Sequence, residues 1–313
     1  MRHPVFPMDD IMNKAKYYLK SARLRTLPLS LSGVIAGAGL ALADYRVSAW
    51  AVVFTALTAV FLQILSNVSN EYGDYTHGTD RDDRQGPQYS YGQLGDRDYR
   101  GMIVFYALMC CLSGLAMIYA SFGSLFSPDA ILLELLGAFA ISAAIRYTVG
   151  KNPYGYRGLG DISVLVFFGI VSVDGTYFVL AHEIPSPALL LPALGIGFFC
   201  VGVLNVNNLR DIKTDAQTRV TTAIRLGQRK ARIYQVILII LGWGCLLGYA
   251  FFCRMFYIWH FLFALTLPLF VLHLRGVLKY EDSALDPYLP MLVMSTFALA
   301  VLLAIGFTVY LVQ

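Results

Sequence analysis

Nine apolar stretches, each about 20 residues long, constrain the fold of this 313-residue chain more than any other feature. A helix of about that length crosses a hydrocarbon core about 30 Å thick. Charged residues make up only 14% of the chain, whereas soluble domains average about 25%. The sequence therefore predicts an all-α membrane protein rather than a soluble domain. The predicted transmembrane helices are 24–43, 48–68, 102–122, 130–149, 162–182, 187–206, 233–252, 255–274 and 288–311.

The positions of Lys and Arg predict the orientation of these helices, because cytoplasmic segments hold both residues in excess. With the N-terminus in the cytoplasm, all but Arg46 and Arg254 of the 24 Lys and Arg residues fall on the cytoplasmic side. A count of eight or ten helices would instead distribute the Lys and Arg residues over both sides of the membrane. No signal-peptide pattern precedes Lys14, so we expect no cleaved leader and a single membrane domain over residues 1–313. The net charge of +4 is not gathered on one soluble face, so no nucleic-acid partner is expected.

Two long polar segments, 69–101 and 207–232, lie on the predicted cytoplasmic side and begin alike. Each starts with the spacing Asn-x-x-x-Asp directly after an apolar helix. The two preceding helices are four spans apart, which is the spacing that duplication of a four-helix unit would produce. We therefore expect two acidic cytoplasmic loops that carry the function. Their motif residues are Asn70 and Asp74 in the first segment and Asn207, Asp211 and Asp215 in the second.

The second motif predicts a cation site. Residues four apart share one helix face, so Asn207, Asp211 and Asp215 point their oxygens the same way. Like charges at that spacing destabilise a helix, and carboxylates at the end of a membrane helix are costly to desolvate. Mg²⁺ prefers oxygen ligands and is often bound by one or two carboxylates together with substrate phosphates. We therefore predict a Mg²⁺-diphosphate site, with Arg210 and Arg219 among the cations that contact phosphate oxygens.

Four segments of the chain carry the most specific motifs. They are RLRTLPLS at 23–30, LQILSNVSNEYGDYTHGTD at 62–80, YTVGKNPYGYRGLGDISVLVFFG at 147–169 and LNVNNLRDIKTDAQTRVTTAIRLG at 204–227. Together they resemble the UbiA-type membrane prenyltransferases, and within that family they are most similar to the bacterial enzymes that prenylate 1,4-dihydroxy-2-naphthoate in menaquinone synthesis. The resemblance implies nine helices around a central cavity capped by the two acidic loops, in the bacterial cytoplasmic (inner) membrane.

The resemblance also implies two Mg²⁺-binding motifs, which match the five Asn and Asp residues named above. The naphthoate branch of the family carries a further carboxylate at the position of Asp80, with another acid at Asp83. The alternative to a metal-binding role for Asp83 is that it lies in a solvated cytoplasmic loop, and the same holds for Asp82. Mg²⁺ is thus the expected cofactor, and the bilayer is the expected surroundings.

The reaction that the resemblance implies is transfer of a polyprenyl group from its diphosphate to 1,4-dihydroxy-2-naphthoate. Diphosphate and CO₂ are lost, and demethylmenaquinone is formed. Mg²⁺ and cationic side chains would neutralise the leaving group so that the allylic C–O bond ionises in a dry cavity. Tyr147, Tyr154 and Tyr156 are candidates for contact with the carbocation, and the alternative is an aromatic belt at the membrane interface.

The acceptor carboxylate requires a cation, and three residues are candidates for that role. They are Arg23, Arg146 and Lys151, and the alternative for each is the general excess of cytoplasmic Lys and Arg. Asp161, at the start of the fifth helix, either contacts the acceptor or the metal or caps its helix.

Other functions explain the sequence less well. A 4-hydroxybenzoate polyprenyltransferase is the nearest alternative, and haem O synthase is a distant one. A cation-coupled transporter would carry its ionisable residues at mid-depth in broken helices, whereas here they follow the apolar stretches at one face. A membrane-anchored interaction protein would not need acids in two repeated motifs.

Overall fold

Helices form almost all of the chain that the structure, a computed structural model, describes. It describes residues 8–77, 93–253 and 257–309, and of residues 8–13 the backbone alone. Within these ranges nine helical segments are long and apolar enough to cross a membrane, which confirms the predicted fold. The α-helices are α1 Met8–Ser21, α2 Leu27–Asp44, α3 Ala49–His77, α4 Asp96–Phe122, α5 Pro128–Arg146, α6 Gly160–Val164, α7 Ser172–Ala181, α8 Leu190–Arg210, α9 Ile212–Asp215, α10 Thr222–Phe252, α11 Leu267–Lys279 and α12 Tyr288–Val309.

Several of the nine segments are composite. A π-helix, Leu165–Val171, joins α6 to α7 in the fifth span, and a 3₁₀ segment, Ile258–Thr266, precedes α11 in the eighth. Shorter 3₁₀ turns precede α2, α8 and α12, and another lies at Tyr154–Tyr156. Some of the nine candidate spans among the described residues therefore change helical pitch along their length.

Helix α8 lies at the centre of the bundle. Within its most apolar window 72% of the residues are buried inside the protein, compared with 22% for α4 and for α5. It packs against α10, α12 and the π-helix, whereas α4 and α5 pack on α3 and leave broad apolar faces outside. In a bilayer such faces are covered by lipid, so they need no protein partner. The central helix also carries Asn207, the first residue of the second acidic motif, near its end.

The spacing Gly33-x-x-x-Gly37 on α2 is typical of close helix contacts in membranes. A Cβ atom added at Gly37 would lie 2.3 Å from the carbonyl oxygen of Val173 on α7, and one at Gly33 would lie 2.3 Å from Ser172 Oγ. Only glycine permits this approach. The two helices are thereby held together next to the irregular fifth span.

The helices extend beyond the apolar stretches from which they were predicted. Helix α3 continues to His77, so Asn70 and Asp74 lie on its last turns rather than in a loop. Helix α10 begins at Thr222, capped by Thr221 Oγ1, which accepts a hydrogen bond from Ile224 N at 3.3 Å. Backbone hydrogen bonding, rather than apolar composition, determines where each helix ends. The motif residues are therefore placed by regular structure.

Candidate active site

The two acidic motifs meet at one end of the bundle, around a cavity of about 60 Å³. Asn70 and Asp74 reach it from α3, Asn207 reaches it from the end of α8, and Arg219 closes it from the turn before α10. The structure thus brings together residues more than 130 positions apart. The cavity is also lined by Arg23, Tyr147, Thr148, Gly155, Tyr156, Gly158, Gly160, Asp161, Leu204, Asn208, Thr221 and Thr222.

The turn after α5 holds the first motif in place. Thr148 Oγ1 lies 2.8 Å from the carbonyl oxygen of Ser69 and 3.2 Å from Asn70 Oδ1. A Cβ atom at Gly73 would lie 2.5 Å from Thr148 Cβ, so glycine at this position allows α3 to approach the turn. The Asn70 side chain is therefore fixed toward the cavity by hydrogen bonding and close packing.

Arg219 links the two motifs. Its Nη2 lies 2.7 Å from Asp215 Oδ1, and its Nη1 lies 3.5 Å from Asp74 Oδ1. Tyr156 donates its hydroxyl hydrogen to Asp74 Oδ1 at 2.7 Å, and the guanidinium carbon lies 5.6 Å from the centre of the Tyr156 ring. Burial lowers the pKa of Arg219, but the carboxylates of Asp74 and Asp215 outweigh burial and raise it above the ordinary value. Arg219 is therefore a permanent cation between the motifs.

Asp211, like Asp215, is not among the residues that line the cavity, and its carboxylate pairs with a different arginine. Asp211 is fully buried and forms a two-point ion pair with Arg210, at 3.0 Å from Nε and 2.7 Å from Nη2. Arg210 also donates from Nη1 to Asp286 Oδ1 at 3.1 Å and from Nη2 to Asn207 Oδ1 at 2.9 Å. Helix α8 ends at Arg210, and Asp211 lies between it and α9 with φ −96° and ψ 11°. The oxygens of Asn207, Asp211 and Asp215 therefore do not form the single row on one helix face that the sequence predicts, because the helix ends before Asp211.

The three candidate tyrosines separate into two groups. Tyr147 and Tyr156 line the cavity, whereas Tyr154 turns its hydroxyl to the carbonyl oxygen of Ala143 at 3.0 Å and to Ser163 Oγ at 3.2 Å. The ring of Tyr154 packs edge-on against Tyr147, with centroids 5.3 Å apart. Burial raises the pKa of Tyr147 and of Tyr154, so both phenols stay neutral.

Comparison with known proteins decides the family. The model of the UbiA prenyltransferase family matches residues 30–297. The chain belongs to the UbiA prenyltransferase family. This is the family that the four sequence segments resembled, and membership makes the chain a prenyltransferase.

Two of the bacterial relatives of this UbiA family member align over almost its whole length, and a third aligns over 72% of it. The 1,4-dihydroxy-2-naphthoate octaprenyltransferase of Escherichia coli (strain K12) is 38% identical over 299 residues, covering 94% of this chain and 96% of that protein. The enzyme of the same name from Haemophilus influenzae is 37% identical, covering 95% and 97%. The one from Mycobacterium tuberculosis is 37% identical over 227 residues, covering 72% and 75%.

Two solved structures share the fold at 15% sequence identity. The apo structure of a UbiA homologue from Aeropyrum pernix K1 superposes with a TM-score of 0.64, covering 92% of this chain and 98% of that one. A digeranylgeranylglyceryl phosphate synthase superposes with a TM-score of 0.54, covering 95% and 99%. These likenesses support the fold of this UbiA family member.

Asp161 lines the cavity of this UbiA prenyltransferase and is held there by a residue that sequence analysis missed. Tyr234 on α10 donates its hydroxyl hydrogen to Asp161 Oδ2 at 2.8 Å. Leu159 is the N-cap of α6, and no side chain caps that helix. Of the two alternatives left by the sequence, the structure thus favours a role at the cavity over a helix cap. Tyr234 gave no signal because it follows no motif and lies at the start of an apolar run.

The three candidate cations for the acceptor carboxylate lie in different positions relative to the cavity. Arg23 lines the cavity, whereas Arg146 and Lys151 are exposed and do not line it. Asp80 and Asp83 lie outside the described residues. Thr148 and Asn208 line the cavity without having been predicted. Asn208 adjoins the second motif in sequence, which was the available signal for it.

The donor atoms at the cavity suit Mg²⁺. Amide oxygens of Asn70 and Asn207 and the carboxylate of Asp74 line the cavity, and the carboxylate of Asp215 lies beside it at Arg219; these are the hard oxygen ligands that this ion prefers. The three buried carboxylates of the motifs, Asp74, Asp211 and Asp215, pair with the guanidinium groups of Arg210 and Arg219. Among the described residues no three His, Cys, Asp or Glu side chains form a ready metal cluster. Mg²⁺ often binds through one or two carboxylates with substrate phosphates completing the shell, so the residues fit the ion.

Proposed function

We propose that this protein transfers a polyprenyl group from a polyprenyl diphosphate to 1,4-dihydroxy-2-naphthoate. The observation that carries the proposal is the meeting of Asp74 and Asp215 at one guanidinium group beside a buried cavity. The acceptor is taken from the naphthoate prenyltransferases to which the chain is similar over nearly its full length.

Mg²⁺ is the proposed cofactor. Asp74 and Asp215, with the amide oxygens of Asn70 and Asn207, would hold it together with the diphosphate. When bound, the ion supplies a Lewis acid that stabilises negative charge on the leaving diphosphate. Asp211 is proposed to act indirectly, because its carboxylate is occupied by Arg210 and fixes the end of α8.

Arg219 is the proposed diphosphate contact. It exchanges its two carboxylate partners for phosphate oxygens, which accept hydrogen bonds from a guanidinium in the same fork geometry. The cavity of about 60 Å³ is smaller than the roughly 300–1,000 Å³ of typical ligand sites, so this exchange also makes room for substrate. The side chain thereby moves from stabilising the folded protein to stabilising the leaving group.

The bond changes balance without an added oxidant or reductant. The C–O bond between prenyl C1 and the diphosphate breaks with its electron pair on oxygen, and the naphthoate ring carbon that bears the carboxylate bonds to C1. The ring carboxylate leaves as CO₂, and its electron pair restores the aromatic ring. The product is therefore a quinol, one two-electron oxidation short of demethylmenaquinone. Tyr147 and Tyr156 present aromatic rings that shield the cationic carbon from water.

Arg23 and Asp161 are the proposed acceptor contacts. The guanidinium of Arg23 lines the cavity and suits the naphthoate carboxylate. The carboxylate of Asp161, oriented by Tyr234 at 2.8 Å, suits a ring hydroxyl.

The prenyl tail extends between apolar helices toward the bilayer. We propose a bacterial inner membrane as the location, with the cavity at the cytoplasmic end; the bacterial relatives support the bacterial source, and the Lys and Arg distribution supports the orientation.

The test offers both acceptors in parallel. Purified protein in nanodiscs receives farnesyl diphosphate with either 1,4-dihydroxy-2-naphthoate or 4-hydroxybenzoate, with and without Mg²⁺. We expect a prenylated, decarboxylated naphthoate that forms only with Mg²⁺. Prenylation of the benzoate alone would contradict the acceptor assignment, and no product from either acceptor would contradict the reaction.

A further inference from the structure

A second concavity lies beside the candidate site, on α1 and the turn that follows it. Its volume is about 630 Å³, and we call it the basic groove. Leu19 and Leu24 give it an apolar strip, with 60% and 50% of their surfaces exposed. The cations that line it are Lys16, Lys20, Arg23 and Arg25.

The basic groove lies at the same end of the bundle as the acidic motifs. Arg23 adopts a left-handed conformation, φ 49° and ψ 53°, which interrupts the helix between α1 and α2. Helix α1 is tied to the start of α4, since Lys14 Nζ lies 3.3 Å from Asp98 Oδ1 and Tyr18 donates to the same oxygen at 2.9 Å. Arg23 lines both the groove and the cavity. The groove is therefore at the level where the membrane surface meets the candidate active site.

The positive charge of residues 14–25 favours the binding of an anion. Residues 14–25 contain five Lys and Arg residues and no Asp or Glu. Lys16 and Lys20 lie four apart, a spacing at which like charges destabilise a helix. An anion between them would relieve that repulsion. The adjacent exposed Leu19 and Leu24 favour a ligand that also carries a hydrocarbon group.

We propose that the basic groove binds an anionic phospholipid. Lys16 and Lys20 contact the headgroup phosphate, and Leu19 and Leu24 pack along an acyl chain. A metal-bound diphosphate suits the groove less well, because none of the residues that line it carries a carboxylate to hold the metal. The lipid is thus bound by cations and apolar surface alone.

Native mass spectrometry of the full-length, delipidated protein tests this proposal. Dioleoylphosphatidylglycerol and dioleoylphosphatidylcholine are titrated separately onto the native protein and onto K16Q/K20Q. Each Lys near an anionic lipid contributes about fivefold in affinity, so the double variant is expected to bind phosphatidylglycerol about 25-fold more weakly. Arg23 is left unchanged because it also lines the candidate active site. The single variant K16Q is expected to show about fivefold weaker binding, and it replaces the double variant if that fails to fold.

A matched control removes the same charge elsewhere. Lys230 and Lys279 are exposed, and Lys279 lies 5.1 Å from the Tyr280 ring much as Lys20 lies 5.2 Å from the Tyr17 ring. K230Q/K279Q should bind phosphatidylglycerol like the native protein. Equal binding of both lipids, or equal loss in both double variants, would overturn the proposal. Loss of farnesyl diphosphate binding in K16Q/K20Q with phosphatidylglycerol binding unchanged would assign the groove to the prenyl donor instead.

Discussion

Arg219 holds carboxylates of both acidic motifs at one guanidinium group, and this contact determines how the site behaves at the scale of single residues. Asp74 and Asp215 are both almost fully buried, at 2% and 1% exposure. Two buried carboxylates so close would repel each other without a cation. A metal ion and Arg219 can each supply that charge, so the cation can be exchanged while the acids stay in place.

Asp74→Asn tests the metal role of the first motif. The substitution keeps the size of the side chain and an oxygen that accepts from Tyr156, but it removes the charge. At limiting Mg²⁺ we expect kcat/KM to fall about 100-fold or more, since loss of one group that stabilises the leaving charge typically costs that much. The measurement is prenyl transfer as a function of Mg²⁺ concentration.

The control for this substitution is Asp96→Asn. Asp96 is exposed at the start of α4 and pairs with Arg100 at 2.9 Å, away from the cavity. Its variant should match the native enzyme. Near-native turnover of Asp74→Asn at limiting Mg²⁺ would remove Asp74 from the metal site.

At the scale of helices, Arg210 connects the end of α8 to the start of α12. Its guanidinium pairs with the fully buried Asp211 and with Asp286. Arg210→Met leaves the Asp211 charge buried without its partner, which costs about 3–5 kcal/mol. We expect the midpoint of thermal unfolding to fall by about 10 °C. Lys213→Met breaks the exposed pair with Asp282, so its unfolding midpoint should stay close to that of the native protein. A larger effect at Lys213 would contradict this assignment.

The close contact of α2 with α7 gives a second prediction at this scale. Gly37→Ala places a Cβ 2.3 Å from the Val173 carbonyl oxygen, so the helices must separate, at a cost of about 1–3 kcal/mol. Gly137→Ala on α5 adds the same atom where no heavy atom lies within 4 Å. That control should be neutral or stabilise by up to about 1 kcal/mol. Equal unfolding midpoints for the two variants would show that the α2–α7 contact is loose.

The sequence predicts the helices far better than it predicts the directions of side chains. Apolar length gave nine spans because each helix satisfies its own backbone in lipid, which is a local property. The direction of Asp211 depends on Arg210 and on Asp286, which is 75 residues further along the chain. The position of Tyr234 beside Asp161 likewise depends on how α10 packs. Such contacts are tertiary, and no spacing within one segment encodes them.

At the scale of the whole molecule, one end carries the acidic motifs, the cavity and the basic groove. The Lys and Arg distribution predicts that this end faces the cytoplasm. Single cysteines at Lys230 and at Ile184, which is 85% exposed in the turn after α7, test that orientation in a cysteine-free background. A membrane-impermeant maleimide added to intact spheroplasts should label Ile184→Cys and leave Lys230→Cys unlabelled until the cells are opened. The reverse pattern would invert the topology.

The most direct measurement is the stoichiometry of the released products. Protein in nanodiscs is given farnesyl diphosphate and carboxyl-labelled 1,4-dihydroxy-2-naphthoate, and CO₂, diphosphate and prenylated product are counted together. We predict equal amounts of all three with Mg²⁺, and none without Mg²⁺ or when Asp74→Asn is combined with Asp215→Asn. Diphosphate release without CO₂, or equal release by the double variant, would contradict prenyl transfer to the naphthoate at this cavity.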